Sequence, residues 1–213
     1  MTYVISVISQ KGGVGKSSIS QLIALGYAGS TYRVLLADMD HQQKSSCKWK
    51  KKRDENDLPQ ILTVQDFRSV ADVMKLAEKF DLIVFDGAPH ATTQTLEMSK
   101  VSDLMILPMS ASTFDMDPQI EVAYELVKAG IKKERIAMLF NRMGNSEIER
   151  VNAYKYIEQT SFVPLPVCLE DKTYYRYAAE GGLAFNKTRS GSLNQRSEQI
   201  FSAITALLLK LNS

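Results

Sequence analysis

The residues with the clearest chemical potential form one short run, Ser9-Gln10-Lys11-Gly12-Gly13-Val14-Gly15-Lys16-Ser17-Ser18. Glycines let a backbone bend so that its N–H groups point inward at an anion, and the N-terminus of a following helix adds partial positive charge. Lys16 is spaced to reach the β- and γ-phosphates of a nucleotide, and the Ser17 hydroxyl to bind Mg²⁺. The run predicts a phosphate-binding loop, with contacts from Gly12, Gly13, Val14, Gly15, Lys16, Ser17 and Ser18.

This loop departs from the usual pattern G-x-x-x-x-G-K-[ST], which would place a glycine where the chain has Gln10. A second lysine, Lys11, follows instead, so that the pattern becomes K-G-G-x-G-K-S. One triphosphate does not usually receive two lysines from its own loop. The extra lysine therefore needs a separate explanation.

Residues 10–18 closely resemble the deviant Walker A motif of the ParA/MinD superfamily of ATPases. In that family the extra lysine reaches across a dimer interface to the nucleotide of the other subunit, so the resemblance implies this role for Lys11. The family more often has Thr-Thr where this chain has Ser17-Ser18, and serine supplies the same hydroxyl. The resemblance also implies ATP and Mg²⁺ as cofactors, ATP hydrolysis to ADP and phosphate, and an ATP-dependent homodimer.

Two carboxylates follow the apolar run at residues 33–37, in the sequence Asp38-Met39-Asp40-His41-Gln42. This segment resembles the family's D-x-D-P-Q, with His41 in place of proline. By that match Asp40 positions the attacking water and Asp38 lies nearer the metal, so that we predict Lys11, Lys16, Asp38 and Asp40 as the catalytic set. For either aspartate alone, an ordinary turn after a strand is the simpler interpretation. We expect His41 to be an exposed loop residue.

A third carboxylate, Asp86, ends the apolar run at residues 82–85, which is the Walker B pattern of a buried strand that delivers one carboxylate to the Mg²⁺ shell. The predicted metal ligands are Ser17, Asp38 and Asp86. Asn141 follows another apolar run, and relatives place such a residue against the adenine base, although asparagine is also common turn chemistry. The resemblance implies that Pro166 closes the same base pocket.

These residues need strands to position them, and strand-like and helix-like segments alternate along the chain. Strands are predicted at residues 3–8, 33–37, 61–64, 82–85, 104–107 (stopped by Pro108) and 136–140, and helical stripes at 67–77, 120–127, 148–157 and 200–211. This pattern predicts an α/β fold with a mostly parallel sheet and helices on both faces. The resemblance of residues 10–18 implies that this fold is a P-loop NTPase of the deviant Walker A type. Ligands of such sheets bind beyond the carboxyl ends of the strands. We expect a single ATPase domain over residues 1–213.

Composition excludes several classes of protein. With 45% hydrophobic and 23% charged residues, the chain is typical of a globular protein, and no apolar run reaches the roughly 18 residues of a membrane span. No signal peptide is apparent, and Cys47 and Cys168 lack the spacing of metal ligands, so we expect reduced thiols in the cytoplasm. The net charge of +2 is too small to argue nucleic-acid binding by itself.

Two basic segments are candidates for local binding. Residues 48–53 hold five cations around Trp49, which could bind phosphates. Three acidic residues follow within the next four positions. We therefore favour a solvated helix face with Trp49 in the core over phosphate binding. Residues 183–197 contain no Asp or Glu. ParA-type ATPases bind DNA without sequence preference through scattered C-terminal cations, so the resemblance implies DNA-binding roles for Lys172, Arg176, Lys187, Arg189 and Arg196.

Several branches of the superfamily share these motifs. A MinD-like membrane cycler needs a basic amphipathic tail, whereas the last helical stripe is apolar with Lys210 as its only late cation. An iron–sulfur relative needs paired cysteines, and a dethiobiotin synthetase type of ligase does not require Lys11. We therefore expect a nucleoid-associated, ParA-like ATPase of the compact kind that positions plasmids, chromosomes or protein cargo. Its expected partners are DNA and a ParB-like or cargo-adaptor protein, with no membrane.

Overall fold

A six-stranded sheet forms the centre of the protein, whose computed structural model describes residues 2–89 and 92–212. The strands are β1 (Tyr3–Val7), β2 (Val34–Asp38), β3 (Thr63–Asp66), β4 (Leu82–Asp86), β5 (Leu104–Met109) and β6 (Ile136–Phe140). Their order is β3-β2-β4-β1-β5-β6, and every adjacent pair is parallel. Strands covered on both faces read as continuous apolar runs, which is why the sequence showed them clearly.

Eight α-helices surround the sheet in the described part of the chain. They are α1 (Lys16–Ala28), α2 (Ser45–Glu55), α3 (Val70–Met74), α4 (Thr92–Val101), α5 (Thr113–Lys128), α6 (Glu147–Glu158), α7 (Thr173–Glu180) and α8 (Gly191–Leu211). One apolar core joins the sheet to α3, α4, α5 and α6, and a second joins the opposite face to α1, α2, α7 and α8. The predicted α/β fold with helices on both faces is confirmed. No helix among the described residues is long and apolar enough to cross a membrane.

Pro108 does not stop the fifth strand, contrary to the sequence-based prediction, because β5 runs through it to Met109. The carbonyl of Ile106 accepts a hydrogen bond from the Ile8 N–H, so this side of β5 faces β1. Alternate residues of a strand direct their backbone N–H and C=O groups to the same neighbouring strand. The backbone N of Pro108 therefore also faces the β1 side of the sheet, at a level where β1 has already ended at Val7. The missing N–H of proline therefore removes no ladder hydrogen bond.

The helix predicted over residues 67–77 is also corrected. The backbone N–H of Phe67 bonds to the Asp38 carbonyl and continues the pairing of β3, which lies two residues later than predicted. The Ser69 hydroxyl then accepts the Asp72 N–H and caps α3, which is only five residues long. The apolar stripe is thus divided between a strand end, a short helix and a separate 3₁₀ turn at Ala77–Lys79.

The basic segment at residues 48–53 belongs to α2, as the favoured interpretation predicted. Trp49 is 4% exposed, and its Nε1 donates to the Leu183 carbonyl at 3.2 Å. Arg53 is also buried, and its Nη1 donates to the Gly182 carbonyl at 2.8 Å. These bonds attach α2 to the loop after α7, so the two helices form neighbouring walls of one cleft.

Replacement of Gly182 by alanine should destabilise the protein more than the same change at Gly130. Both glycines have a left-handed φ, +74° and +93°, so alanine costs about 1–2 kcal/mol at either position. At Gly182 a Cβ would also lie 2.6 Å from the Arg53 backbone N, whereas at Gly130 it meets nothing within 4 Å. We expect Gly182→Ala to lower the free energy of unfolding by a further ~1–3 kcal/mol. Urea denaturation of both variants measures the difference, and equal losses would contradict the close packing of α2.

Candidate nucleotide site

The predicted site residues converge at the carboxyl ends of three adjacent strands. Asp38 ends β2, Asp86 ends β4, and in the sheet register these two residues are direct partners. Val7, at the end of β1, is the partner of Asp86 on its other side. The phosphate loop, residues 8–15, leaves β1 at this point and leads into α1. The topology therefore brings the loop and two carboxylates to one edge.

The phosphate loop depends on glycine at two left-handed positions, Gly13 with φ +78° and Gly15 with φ +93°. Asn141, at the end of β6, packs against Gly15 so closely that a Cβ there would clash with its side-chain amide. The Asn141 Nδ2 donates to the Val14 carbonyl at 2.7 Å. Asn141 thus supports the back of the loop, a contact that sequence reasoning did not anticipate.

Lys16 begins α1 and is 7% exposed. Its Nζ donates to the Lys11 carbonyl at 2.9 Å, so the ammonium lies across the phosphate loop. Burial lowers the pKa of Lys16, while the negative charges of Asp86 and Asp40 oppose that change. A buried ammonium at the N-terminus of a helix is suited to an anionic ligand.

The two strand-end carboxylates form a buried pair of like charges. Asp38 and Asp86 are 0% and 2% exposed. Burial raises the pKa of Asp86 to about 7, the charge of Asp38 adds to the rise, and hydrogen bonds from Ser46 and Ser17 oppose it. Burial likewise raises the pKa of Asp38. The Lys16 ammonium offsets part of this charge, and a divalent cation would neutralise more of it.

The donor set is typical of Mg²⁺. Within residues 2–89 and 92–212, no three His, Cys, Asp or Glu side chains are grouped to hold a metal by themselves. Mg²⁺ usually binds one or two carboxylates together with substrate phosphates and waters. Ser17, Asp38 and Asp86 supply such a partial set next to the phosphate loop, so the residues fit the predicted ion.

Ser46 is a member of the site that the sequence analysis missed. It is fully buried near the start of α2, and its Oγ donates to Asp86 Oδ2 at 2.7 Å. The next N–H, that of Cys47, donates to Asp38 Oδ2 at 3.0 Å. Both carboxylates are therefore tied to the first turn of α2. The only sign of this role in the sequence was a serine that closely follows the Asp38–Gln42 segment.

Asp40 lies at the surface of the site and holds the following turn. Its Oδ1 accepts the N–H groups of Gln42 at 3.1 Å and Gln43 at 2.9 Å. His41 is exposed, as expected, with its Nδ1 3.5 Å from Asp66. Asp40 also lines the cleft in front of the phosphate loop.

Lys11 points away from the phosphate loop that contains it. Its Nζ lies 2.6 Å from Asp115 Oδ1, in the first turn of α5, and the side chain remains 38% exposed. The Ser110 hydroxyl donates to the other oxygen of Asp115 at 2.6 Å. The structure therefore separates the two lysines of the loop. Lys16 is directed into it, and Lys11 is held at its rim.

A cleft of about 760 Å³ opens in front of the phosphate loop. The predicted residues that line it are Gly12, Gly13, Gly15, Lys16, Ser17, Ser18 and Asp40. Lysines of α2 (Lys48, Lys51 and Lys52) and Arg142 also line it and were not predicted. The volume is within the usual range for a small-molecule site.

The residues predicted for the adenine base are not brought together. Asn141 lines a smaller cavity of about 250 Å³ that shares Gly15, Ser18 and Arg142 with the cleft. Pro166 instead lines a separate groove between α6 and α8, because the segment from Pro164 to Glu170 runs alongside the edge strand β6. The shared cavity is the better candidate for a base, since it adjoins the phosphate loop.

The residues predicted to bind DNA are also dispersed. Lys172 and Arg176 line the smaller cavity, Lys187 lines a cavity beside α1, and Arg196 lines the α6–α8 groove. Three of them are already paired with acids: Lys172 and Arg196 with Glu170, and Arg176 with Asp171. In the described part of the chain, Lys187 and Arg189 are in no ion pair. Three of the five cations therefore lie around the adjacent acids Glu170 and Asp171, and Lys187 lies apart from them.

Comparison with known proteins identifies the family. Residues 5–182 match the model of the CobQ/CobB/MinD/ParA nucleotide-binding domain. The chain belongs to this family. Sequence comparison with characterised proteins gave no match.

Solved structures resemble this ParA/MinD-family protein over nearly its whole length. A plasmid partition protein from Borrelia burgdorferi B31 bound to AMPPNP has a TM-score of 0.73 at 16% identity, covering 97% of this chain and 99% of its own. Apo McdA from Cyanothece has a TM-score of 0.76 at 18% identity, covering 96% and 100%. MinD from Pyrococcus horikoshii OT3 with Mg-ADP has a TM-score of 0.73 at 17% identity, covering 97% of each chain. At these identities the similarity establishes the fold.

Replacement of Lys16 by alanine should remove nucleotide binding from this ParA/MinD-family protein. An ammonium that bonds two phosphates contributes about 1.5–3 kcal/mol per bond, so we expect ATP affinity to fall by about 100-fold or more. Isothermal titration with Mg-ATP measures the loss. Lys75→Ala, which breaks only an exposed pair with Asp72, is the control. Wild-type affinity in Lys16→Ala would contradict the assignment of the loop.

Proposed function

We propose that this protein is a ParA-like ATPase that dimerises around ATP, binds DNA without sequence preference, and positions a plasmid, chromosome or protein cargo through partner-stimulated hydrolysis. The observation that carries the proposal is the pair of lysines in one phosphate loop with separate orientations. Lys16 lies across the loop, and Lys11 is exposed at its rim. The family match and the nucleotide-bound relatives support the ATPase part.

In the proposed reaction the chain binds ATP and orients one water. The N–H groups of Gly12–Gly15 and the Lys16 ammonium bind the phosphates, and Asn141 keeps the loop in shape. Bound Mg²⁺ would neutralise phosphate charge, held by Ser17, Asp38 and Asp86. Asp40 orients the attacking water and accepts its proton, from a position at the surface of the cleft.

The proposed dimer requires Lys11 to leave Asp115. An exposed lysine at the rim can reach a nucleotide in a facing subunit only after its present ion pair is broken. Half-exposed pairs of this kind contribute about 1 kcal/mol or less. The triphosphate of the partner carries more negative charge than Asp115, so ATP in the facing subunit would favour the exchange.

Replacement of Lys11 by alanine should abolish the ATP-dependent dimer while the monomer still binds ATP. Asp115→Asn should have the opposite effect, because it releases Lys11 from its ion pair. We expect the protein concentration for half-maximal dimerisation to fall by up to ~5-fold. Light scattering with Mg-ATP measures both. Asp117→Asn is the matched control, since Asp117 accepts a bond from Tyr156 and pairs with no lysine among the described residues. A Lys11→Ala variant that dimerises normally would exclude the trans role.

DNA is favoured over a membrane as the surface on which the protein acts. The apolar stripe of α8 is packed on the sheet, with Ile200, Ile204 and Leu208 buried. Residues 183–197 carry cations without any acid. A dimer adds the weak contacts of two subunits, so a modest charge on each can suffice. MinD-like cycling on a membrane remains the second candidate, because MinD is among the structural relatives.

Retention of random-sequence DNA and of anionic vesicles, each with and without ATP, should separate these candidates. We expect ATP-dependent retention of DNA that weakens steeply with salt, and no retention of vesicles. Binding to vesicles alone would replace the proposal with the MinD-like cycle. Turnover stimulated by a small carboxylic acid or amine, with neither surface bound, would favour a biosynthetic ligase. Equal DNA binding without ATP would refute the switch.

A further inference from the structure

Three of the four oxygens of the buried carboxylate pair accept hydrogen bonds from the loop after β2 and the first turn of α2. The Asp40 N–H donates to Asp38 Oδ1 at 3.1 Å, and the Cys47 N–H donates to Asp38 Oδ2 at 3.0 Å. The Ser46 hydroxyl donates to Asp86 Oδ2 at 2.7 Å. In the part of the chain that the structure describes, Asp86 Oδ1 receives no bond from these two elements.

Asp86 Oδ1 faces the opposite helix, α1. The Ser20 hydroxyl lies 3.5 Å from this oxygen, at the limit of a hydrogen bond, and it donates to the Lys16 carbonyl at 3.0 Å. Ser17, the predicted magnesium ligand, lies one turn before Ser20 on the same helix. The Asp86 carboxylate is therefore placed between two helices, with Oδ2 held by α2 and Oδ1 directed to the helix that follows the phosphate loop.

The rotation of the Asp86 carboxylate needs a hydrogen bond to fix it. Rotation about the Cβ–Cγ bond of an aspartate is a broad, roughly two-fold torsion, so the backbone alone does not decide which oxygen faces a given neighbour. The Ser46 bond has the short length of a hydroxyl that donates to a charged oxygen, and Ser46 is fully buried. It is much shorter than the contact from Ser20. The Ser46 hydroxyl is therefore the group that holds this carboxylate in one orientation.

We propose that Ser46 is a positioning residue for the metal site: its hydroxyl holds Asp86 Oδ2 and leaves Oδ1 as the oxygen available to Mg²⁺. This inference rests on the Mg-ATP part of the proposed function and deepens it. Groups that hydrogen-bond a metal ligand orient that ligand, and their loss usually lowers metal affinity by about 10–100-fold. Because Ser46 is fully buried, it acts through Asp86 and not by contact with the nucleotide.

The magnesium dependence of nucleotide binding tests this role. Isothermal titration with AMPPNP would be carried out in EDTA and over a range of free Mg²⁺, for the wild type, Ser46→Ala and Ser46→Thr. We expect Ser46→Ala to need about 10–100-fold more free Mg²⁺ for the half-maximal gain in AMPPNP affinity, with unchanged affinity in EDTA. Ser46→Thr keeps the hydroxyl and should resemble the wild type. Ser99→Ala is the matched control, because it removes a fully buried serine hydroxyl that bonds to the Thr95 carbonyl within α4.

A double variant shows whether Ser46 acts through Asp86. Asp86→Asn should itself raise the Mg²⁺ requirement, because it removes the charged ligand. Addition of Ser46→Ala to Asp86→Asn should then change the half-maximal Mg²⁺ concentration by less than about 2-fold, since the carboxylate that Ser46 orients is already absent. Two independent sites would instead give additive losses. Thermal unfolding of every variant defines a common temperature at which all of them are folded.

The results distinguish this inference from the proposed function. A raised Mg²⁺ requirement in Ser46→Ala that is absent from Ser99→Ala, and that disappears in the Asp86→Asn background, supports the positioning role. If the wild type depends on Mg²⁺ and Ser46→Ala has the same requirement, the role of Ser46 is wrong and the proposed function stands. Equal loss of AMPPNP affinity in EDTA and in Mg²⁺ would make Ser46 a structural residue and overturn the inference. If the wild type binds AMPPNP equally well without Mg²⁺, the magnesium part of the proposed function fails.

Discussion

The buried negative charge of Asp38 and Asp86 is the constraint on which the rest of the site depends. The two carboxylates are register partners at the ends of β2 and β4, and neither has access to water that could stabilise its charge. Hydrogen bonds from Ser46 and from the Cys47 N–H reduce that cost without removing it. The ammonium of Lys16 provides nearby positive charge from the start of α1. The loop, α1 and α2 are thus organised around one electrostatic need, which a bound cation would satisfy.

This arrangement links the carboxylates mechanically to a wall of the cleft. At its first turn α2 is bonded to both aspartates, and farther along it is bonded through Trp49 and Arg53 to the loop after α7. A change in what the carboxylates bind must therefore alter the hydrogen bonds that position α2. Because α2 contributes three lysines to the cleft, the charge that a ligand meets there depends on the same contacts.

The two lysines of the phosphate loop have different partners. Lys16 belongs to the buried part of the loop, and its position follows from the strand, the turn and the helix that contain it. Lys11 comes earlier in the same loop and lies at the rim of the cleft. Its partner, Asp115, belongs to α5 and is 104 positions away in the chain. A half-exposed ion pair holds it weakly, so it can be exchanged for a stronger anion. Lys11 is therefore held by α5, whereas Lys16 is held by the loop itself.

The sequence by itself determined the six strands along the chain, the phosphate loop and the carboxylates at strand ends, because these depend on local periodicity and on glycine at short range. It also predicted that Trp49 is in the core, since neighbouring charges indicated a helix with one apolar face. Only the tertiary structure decided that Pro108 lies inside β5, because the missing N–H matters only if a strand faces it. Two contacts of the site join residues that are distant in the chain: Lys11 pairs with Asp115, and Asn141 packs against Gly15. The tertiary structure also placed Pro166 in a groove apart from the base cavity. Lys172 and Arg196, 24 positions apart, likewise share Glu170, while Lys187 between them lines a different cavity. Side-chain neighbours in a folded protein are set by packing across elements and not by spacing along the chain.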